Sequence, residues 1–188
     1  MDWNIPGTVL VVPRDRAEGA EEMIRSMFLA GGMVRSQVAQ ATGLEPYAVQ
    51  NWVKRGFLSP PVNKRYTCRQ FCRIILINML KSALPMDEIC GLLSYINGHL
   101  DDESDDAIDD SQLYFAFLRV AARYGGRMEN DEELRASIRE SLGEYHEPFP
   151  GARERVEKVL HIMLLAWTSA RLQTRAETML AKIQEKGE

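Results

Sequence analysis

The chain has 188 residues, 45% of them hydrophobic, which is enough apolar material to bury the core of one or two small domains. Its net charge of -4 and pI near 5.5 would, averaged over the whole chain, argue against a nucleic-acid partner. No stretch approaches about eighteen apolar residues without a charge, and Thr8–Val12 is too short for the apolar core of a secretion signal. With an odd number of cysteines and no dense disulfide-like spacing, these features lead us to expect a cytoplasmic protein with no membrane partner.

Residues 1–32 read as an N-terminal segment with a helix that ends at Gly31-Gly32. Residues 33–98 read as a helix-turn-helix with a short basic wing and two further helices. Ser36–Ala41 forms a short helix, Thr42-Gly43-Leu44 the turn, and Glu45–Arg55 a second helix. Val38, Ala39, Leu44, Val49 and Trp52 are spaced to pack across that turn, and Trp52 is a core residue filling the angle between the helices. Tyr47, Gln50, Asn51 and Lys54 then point away, as the reading face of a groove-inserted helix requires. Pro60–Thr67 is the wing, with Lys64 and Arg65 at its tip placed to reach a duplex backbone. Tyr66 either packs its ring under the wing or offers its hydroxyl to a phosphate. Thr67 caps the next helix, Arg69–Ala83, and a further helical segment starts near Pro85.

Charge supplies an independent argument. From Met33 to Ser82 there are eight basic residues and one acid, Glu45, so this segment carries +7 and the remainder of the chain carries -11. Such a split suits a phosphate-binding module within an otherwise acidic protein, although a basic solvated face would produce the same count. Arg35 and Arg69 lie near helix starts, beside Ser36 and Thr67 respectively, where a phosphate would relieve the conflict between their charge and the helix dipole.

The turn glycine Gly43, then Val49, Trp52 and Gly56-Phe57-Leu58, resemble the winged helix-turn-helix domain of MerR-type transcriptional regulators in type and spacing. Pro60–Thr67 is similar to that family's basic wing, which ends in an aromatic residue and a Ser/Thr cap. More closely, Val49–Gly56 followed by Pro60–Tyr66 resembles an uncharacterised bacterial family of domains of unknown function (1836) built on a MerR-like core. The resemblance covers about a third of the chain. It implies a DNA-binding regulator that dimerises through helices beyond the DNA-binding domain. The recognition helix of MerR-type proteins carries arginines where this chain has Tyr47, Gln50 and Asn51; Gln and Asn instead match the N6/N7 edge of adenine.

Residues 99–110 read as an acidic linker: from Asp101 to Asp110 it fails the spacing of a calcium loop and is expected to be solvated. Residues 111–188 read as a helical accessory or dimerisation region. It comprises an apolar helix from Ser111 to Gly125-Gly126, an amphipathic one over Asp131–Leu142, a break at Pro148–Gly151, and a long helix from Ala152 to about Lys186. That last helix is apolar on several sides in its first half, so other helices of the chain and a second copy are its expected covers. Tyr114, Phe115, Phe117, Tyr124, Tyr145, Phe149 and Trp167 either form core or line a pocket for an unidentified small-molecule effector.

Cys68, Cys72 and Cys90 lack CxxC spacing or a nearby histidine, so we expect neither a metal nor any other cofactor. His99, His146 and His161 are scattered and no phosphate-cradling glycine motif is present, so no catalytic residues are assigned and we do not expect an enzyme. The fold expected is therefore mainly α, a MerR-like winged helix-turn-helix followed by an α-helical region ending in a long helix. The function expected is a regulator, as a homodimer, of double-stranded DNA. Its candidate contacts are Arg35, Ser36, Tyr47, Gln50, Asn51, Lys54, Arg55, Lys64, Arg65, Tyr66 and Arg69. The alternative is a protein-interaction adaptor whose helix-turn-helix does not bind DNA, favoured by the absent arginines and the acidic remainder.

Overall fold

A computed structural model describes residues 2–100, 102–124 and 130–184. The protein is mainly helical with a long C-terminal helix. Among the described residues no helix is long and apolar enough to cross a membrane. The expected Gly125-Gly126 break lies outside the described residues, as do Asp101 and the last turn around Lys186.

The N-terminal segment contains a helix, α1 (Ala20–Ser26), and in addition an antiparallel hairpin of β1 (Asp2–Asn4) and β2 (Val11–Pro13). Trp3, Ile5 and Val12 are buried beneath the hairpin, while three-residue strands are too short to display period-2 alternation in a sequence. Next come β3 (Met33–Val34), α2 (Arg35–Thr42) and α3 (Pro46–Lys54), and β4 (Arg65–Tyr66), which pairs with β3. Gly43 ends α2 at φ 69°, and its amide donates to the Ala39 carbonyl at 2.8 Å. A Cβ at this glycine would approach Val9 Cγ1 to 2.7 Å, so both backbone conformation and space require glycine at the turn.

The central element is α4 (Cys68–Leu80), buried on nearly every side from Gln70 to Leu80. Thr67 caps it: its Oγ1 accepts from the Gln70 amide at 3.2 Å while Gln70 Oε1 accepts from the Thr67 amide at 3.0 Å. The Gln70 side-chain amide also donates to Ser59 and Pro60 carbonyls, tying the loop before the wing to this helix. Further along, Asn78 Nδ2 donates to the carbonyls of Gly7 and Thr42, fixing the N-terminal hairpin and the end of α2 to one another.

Around α4 pack α5 (Met86–Asn97), α6 (Asp110–Tyr124) and α8 (Ala152–Gln184), with α7 (Asp131–Leu142) filling the angle between α6 and α8. Four of the accessory aromatics form core. Tyr114, Phe115, Phe117 and Trp167 are buried, the Phe117 and Trp167 rings meet edge to face at 5.6 Å, and the Tyr114 hydroxyl donates to the Pro6 carbonyl. Tyr145 and Phe149 pack at the margin of that core. In α8 the first half is embedded through Val156, Val159, Leu160, Met163 and Trp167, whereas residues 171–184 are exposed throughout.

The acidic segment departs from the solvated loop its composition suggests. Ala107 and Ile108 are buried, Asp110 is the first residue of α6 and is fully buried, and Asp106 lies against Arg69 at 2.5 Å. The reason is local: two apolar residues inside the acid run anchor it to the core, and two guanidinium groups on α4 receive its carboxylates.

Candidate nucleic-acid interface

On α3, which packs on α2, Val49 and Trp52 are buried, and Tyr47, Gln50, Asn51 and Lys54 are exposed. These four positions are spaced i, i+3, i+4 and i+7, so they form one stripe along the helix. Tyr47 is 70% exposed, its ring left open to solvent.

Beside that stripe runs a cleft of about 790 Å³ between α2, α3 and the wing. Val34, Pro46, Val53 and Pro61 give it an apolar floor, and Arg35, Lys54 and Lys64 place three cations on its margins with Gln50 and Ser36. The start of α2 opens into it. Val34 precedes α2 and has no side-chain acceptor, and Glu45 before α3 makes no capping bond, so neither helix has its first-turn amides satisfied by a cap. The one side-chain bond at the α2 start runs the other way, from the Val34 amide to Gln37 Oε1 at 2.9 Å. Uncapped helix starts with cations beside them are electrostatically suited to phosphate oxygens.

The wing is a hairpin with a two-residue turn. Val62 and Arg65 bridge, the Arg65 amide donates to the Val62 carbonyl at 2.9 Å, and Asn63 and Lys64 between them have φ of 50° and 62°. Both central residues in the left-handed region define a type I′ turn, whose second position favours glycine. Lys64 occupies it instead, which displays the ammonium at the tip at the expense of backbone strain.

The structure brings together seven of the eleven candidate contacts on this face: Arg35, Ser36, Tyr47, Gln50, Asn51, Lys54 and Lys64 are all exposed. The other four have different surroundings. Arg65 folds back, its Nη1 donating to the Gly32 carbonyl at 2.6 Å. Arg55 stacks over the Phe57 ring at 4.5 Å and lies 3.9 Å from Asp87. Arg69 is engaged by Asp106, with Asp109 at 3.6 Å. Tyr66 is buried, so of the two alternatives its ring packs under the wing; burial raises the pKa of its hydroxyl, with nearby Arg35 opposing. Residue types alone did not mark the apolar floor of the cleft, because Val34, Val53 and the prolines read as ordinary packing residues.

The three cysteines are free thiols. Cys72 is buried, and burial pushes its pKa well up. Among the described residues no group of His, Cys, Asp and Glu is arranged to hold a metal ion.

Residues 32–117 match the model of a family described as a domain of unknown function (DUF1836). The chain is also similar to the uncharacterized protein YkrK of Bacillus subtilis (strain 168), at 24% identity over 157 residues that cover 78% of this chain and 67% of that protein. No solved structure matches. The family match begins at the strand that pairs with the wing and runs through the acidic segment into α6. It therefore contains both the cleft and the carboxylates that engage Arg69 and Arg73.

Proposed function

We propose that this protein is a DNA-binding transcriptional regulator with a MerR-like winged helix-turn-helix. In this reading α3 enters a major groove, with Gln50 and Asn51 facing base edges. Lys54, Lys64 and Arg35 lie on flanking phosphates, as does the uncapped start of α2. The observation that carries the reading is the division of α3: one face is fixed in the core by Val49 and Trp52, and the opposite stripe, exposed among the described residues, continues onto a cation-bearing wing. Lys64 in a strained turn position adds support, since a purely structural turn would favour glycine there.

Titration of labelled genomic fragments at several salt concentrations tests this. Binding should weaken steeply from about 50 to 200 mM salt, and replacing Lys54 and Lys64 together by alanine should reduce the log–log slope by about two. The apolar floor of the cleft supports a second reading, a protein-interaction adaptor that receives an apolar segment between α3 and the wing. Failure to bind any fragment at low salt would leave that reading in possession of the site.

A further inference from the structure

The cleft between α2, α3 and the wing has a rim and a floor of opposite character. Arg35, Lys54 and Lys64 stand on the rim, none of them ion-paired among the described residues, and no Asp or Glu lines the walls. Val34, Pro46, Val53 and Pro61 make the floor apolar, and the enclosed volume of about 790 Å³ lies in the range of sites that take a small organic molecule.

Tyr66 adds what neither rim nor floor supplies. It lines the same cleft and is only 2% exposed, yet its hydroxyl has no hydrogen-bond partner among the described residues. An unpaired hydroxyl at such a buried position is unfavourable, and an acceptor entering the cleft would relieve it. Burial raises the pKa of this hydroxyl, and the charge of Arg35 close by pulls it back down, so a donor and a cation converge at one end of the cleft. Arg35 and Ser36 also open α2, whose first turn lacks a side-chain cap, and its free amides add donors at that end. All of these groups call for an oxyanion.

The occupant must answer the floor as well. A phosphate of duplex DNA is esterified on both sides, so it stays at the rim, where it meets the cations without reaching the buried hydroxyl or covering the apolar surface. An apolar peptide segment would cover the floor but leave the hydroxyl and the cations without a counter-charge. A slender molecule with a terminal carboxylate on an apolar body satisfies both. Its oxygens accept from Tyr66 and Arg35, and its body lies along Val53, Pro46 and Pro61. Entry to a buried hydroxyl favours this monoanion over a phosphate dianion, which gives up more hydration.

We propose that the cleft binds an apolar carboxylate, an extended fatty acid or a flat aromatic acid, with its head group between Tyr66 and Arg35. The site does not rest on the DNA-binding reading; where that reading holds, the bound acid takes Arg35 from the duplex, and the two ligands exclude each other. Calorimetric titration of the full chain without DNA tests the proposal, with decanoate for the extended body and naphthoate for the flat one. At least one of these acids should bind at a single site. Acetate, which lacks the body, and the matching alcohol, decanol or naphthol, which lacks the charge, should each bind at least about tenfold more weakly. Tyr66→Phe keeps the ring, removes only the hydroxyl and should weaken the acid by about tenfold. Arg35→Gln should weaken it by at least as much, and because Arg35 is exposed this variant keeps the fold even if Tyr66→Phe does not. The proposal is overturned if neither acid binds, if the alcohol binds as tightly as the acid, or if Arg35→Gln binds like wild type. With no DNA in the titration, such a result is distinct from failure of the DNA-binding reading, which its own salt titration decides.

Discussion

Arg73 on α4 and Asp110 at the first turn of α6 form an ion pair buried on both sides, at 3.1 Å, between the helix after the wing and the helix after the acidic segment. Each charge is further satisfied: Arg73 Nε donates to the Phe57 carbonyl at 3.0 Å, and Asp110 Oδ1 accepts from Asn97 Nδ2 at 2.9 Å. Removal of one member leaves the other desolvated and unpaired, a loss of about 3–5 kcal/mol. Arg73→Met should therefore lower the unfolding free energy by about that amount in urea titrations, and adding Asp110→Asn should recover most of it. If Arg73→Met unfolds at the wild-type midpoint, the pair is not a structural tie.

The neighbouring pair, Arg69 and Asp106, titrates in an accessible range. The Asp106 carboxyl is raised from 3.8 to about 6, because its burial outweighs the pull of Arg69, and its Oδ1 finds no hydrogen-bond partner among the described residues. Asp110 and Asp105 add like charge. A carboxyl raised on folding holds its proton more tightly in the folded state, so its contribution to stability is fully present below about 4 and is lost as pH rises through about 6. Asp106→Asn fixes the side chain in a neutral form. The stability of the variant relative to wild type should increase between pH 4 and 6 and then level off; a difference independent of pH would contradict the raised value.

Much of the segment from α2 to α4 is legible in residue order because each feature rests on a local rule. Gly43 marks a left-handed turn, Val49 and Trp52 a buried helix face, and Thr67 with Gln70 a reciprocal cap. The ties across sequence are harder to read. Arg69 and Arg73 are four apart, as are Asp106 and Asp110, so each basic residue meets the acid 37 positions later. That matched spacing is present in the sequence, but seven acids in ten positions read as a solvated run until Ala107 and Ile108 are seen to anchor it. Arg65 illustrates the same limit. A basic pair at a wing tip suggests two backbone contacts, and only the geometry reveals that the second guanidinium turns back to Gly32.

Lys64 offers a way to separate folding from function at one position. Glycine would adopt its φ of 62° without the left-handed penalty of about 1–2 kcal/mol, set against the greater entropy of glycine in the unfolded chain. Lys64→Gly should raise the unfolding free energy by about 0.5–1 kcal/mol while reducing the salt slope of DNA binding by about one. A variant that is more stable and binds less well would mean that the ammonium is kept at the tip against the preference of the backbone. Unchanged binding would remove Lys64 from the interface.

Gln50 and Asn51 raise the question of sequence reading, since they stand where charge-assisted guanine contacts would need arginine. Both are exposed on the outer stripe of α3, and neither side chain supports the core. Their carboxamides match the paired donor and acceptor of adenine in the major groove, so on a preferred fragment Asn51→Ala should cost about 1–3 kcal/mol of binding free energy. On unrelated fragments it should cost little, and the salt slope should stay that of wild type because no cation is removed. The complementary change, Lys54→Ala, should weaken binding to all fragments alike and lower the slope. Competition titrations with preferred and scrambled duplexes read both effects at once. An Asn51→Ala loss that is equal on the two duplexes would place this side chain on the backbone, and the specificity would then have to come from DNA shape.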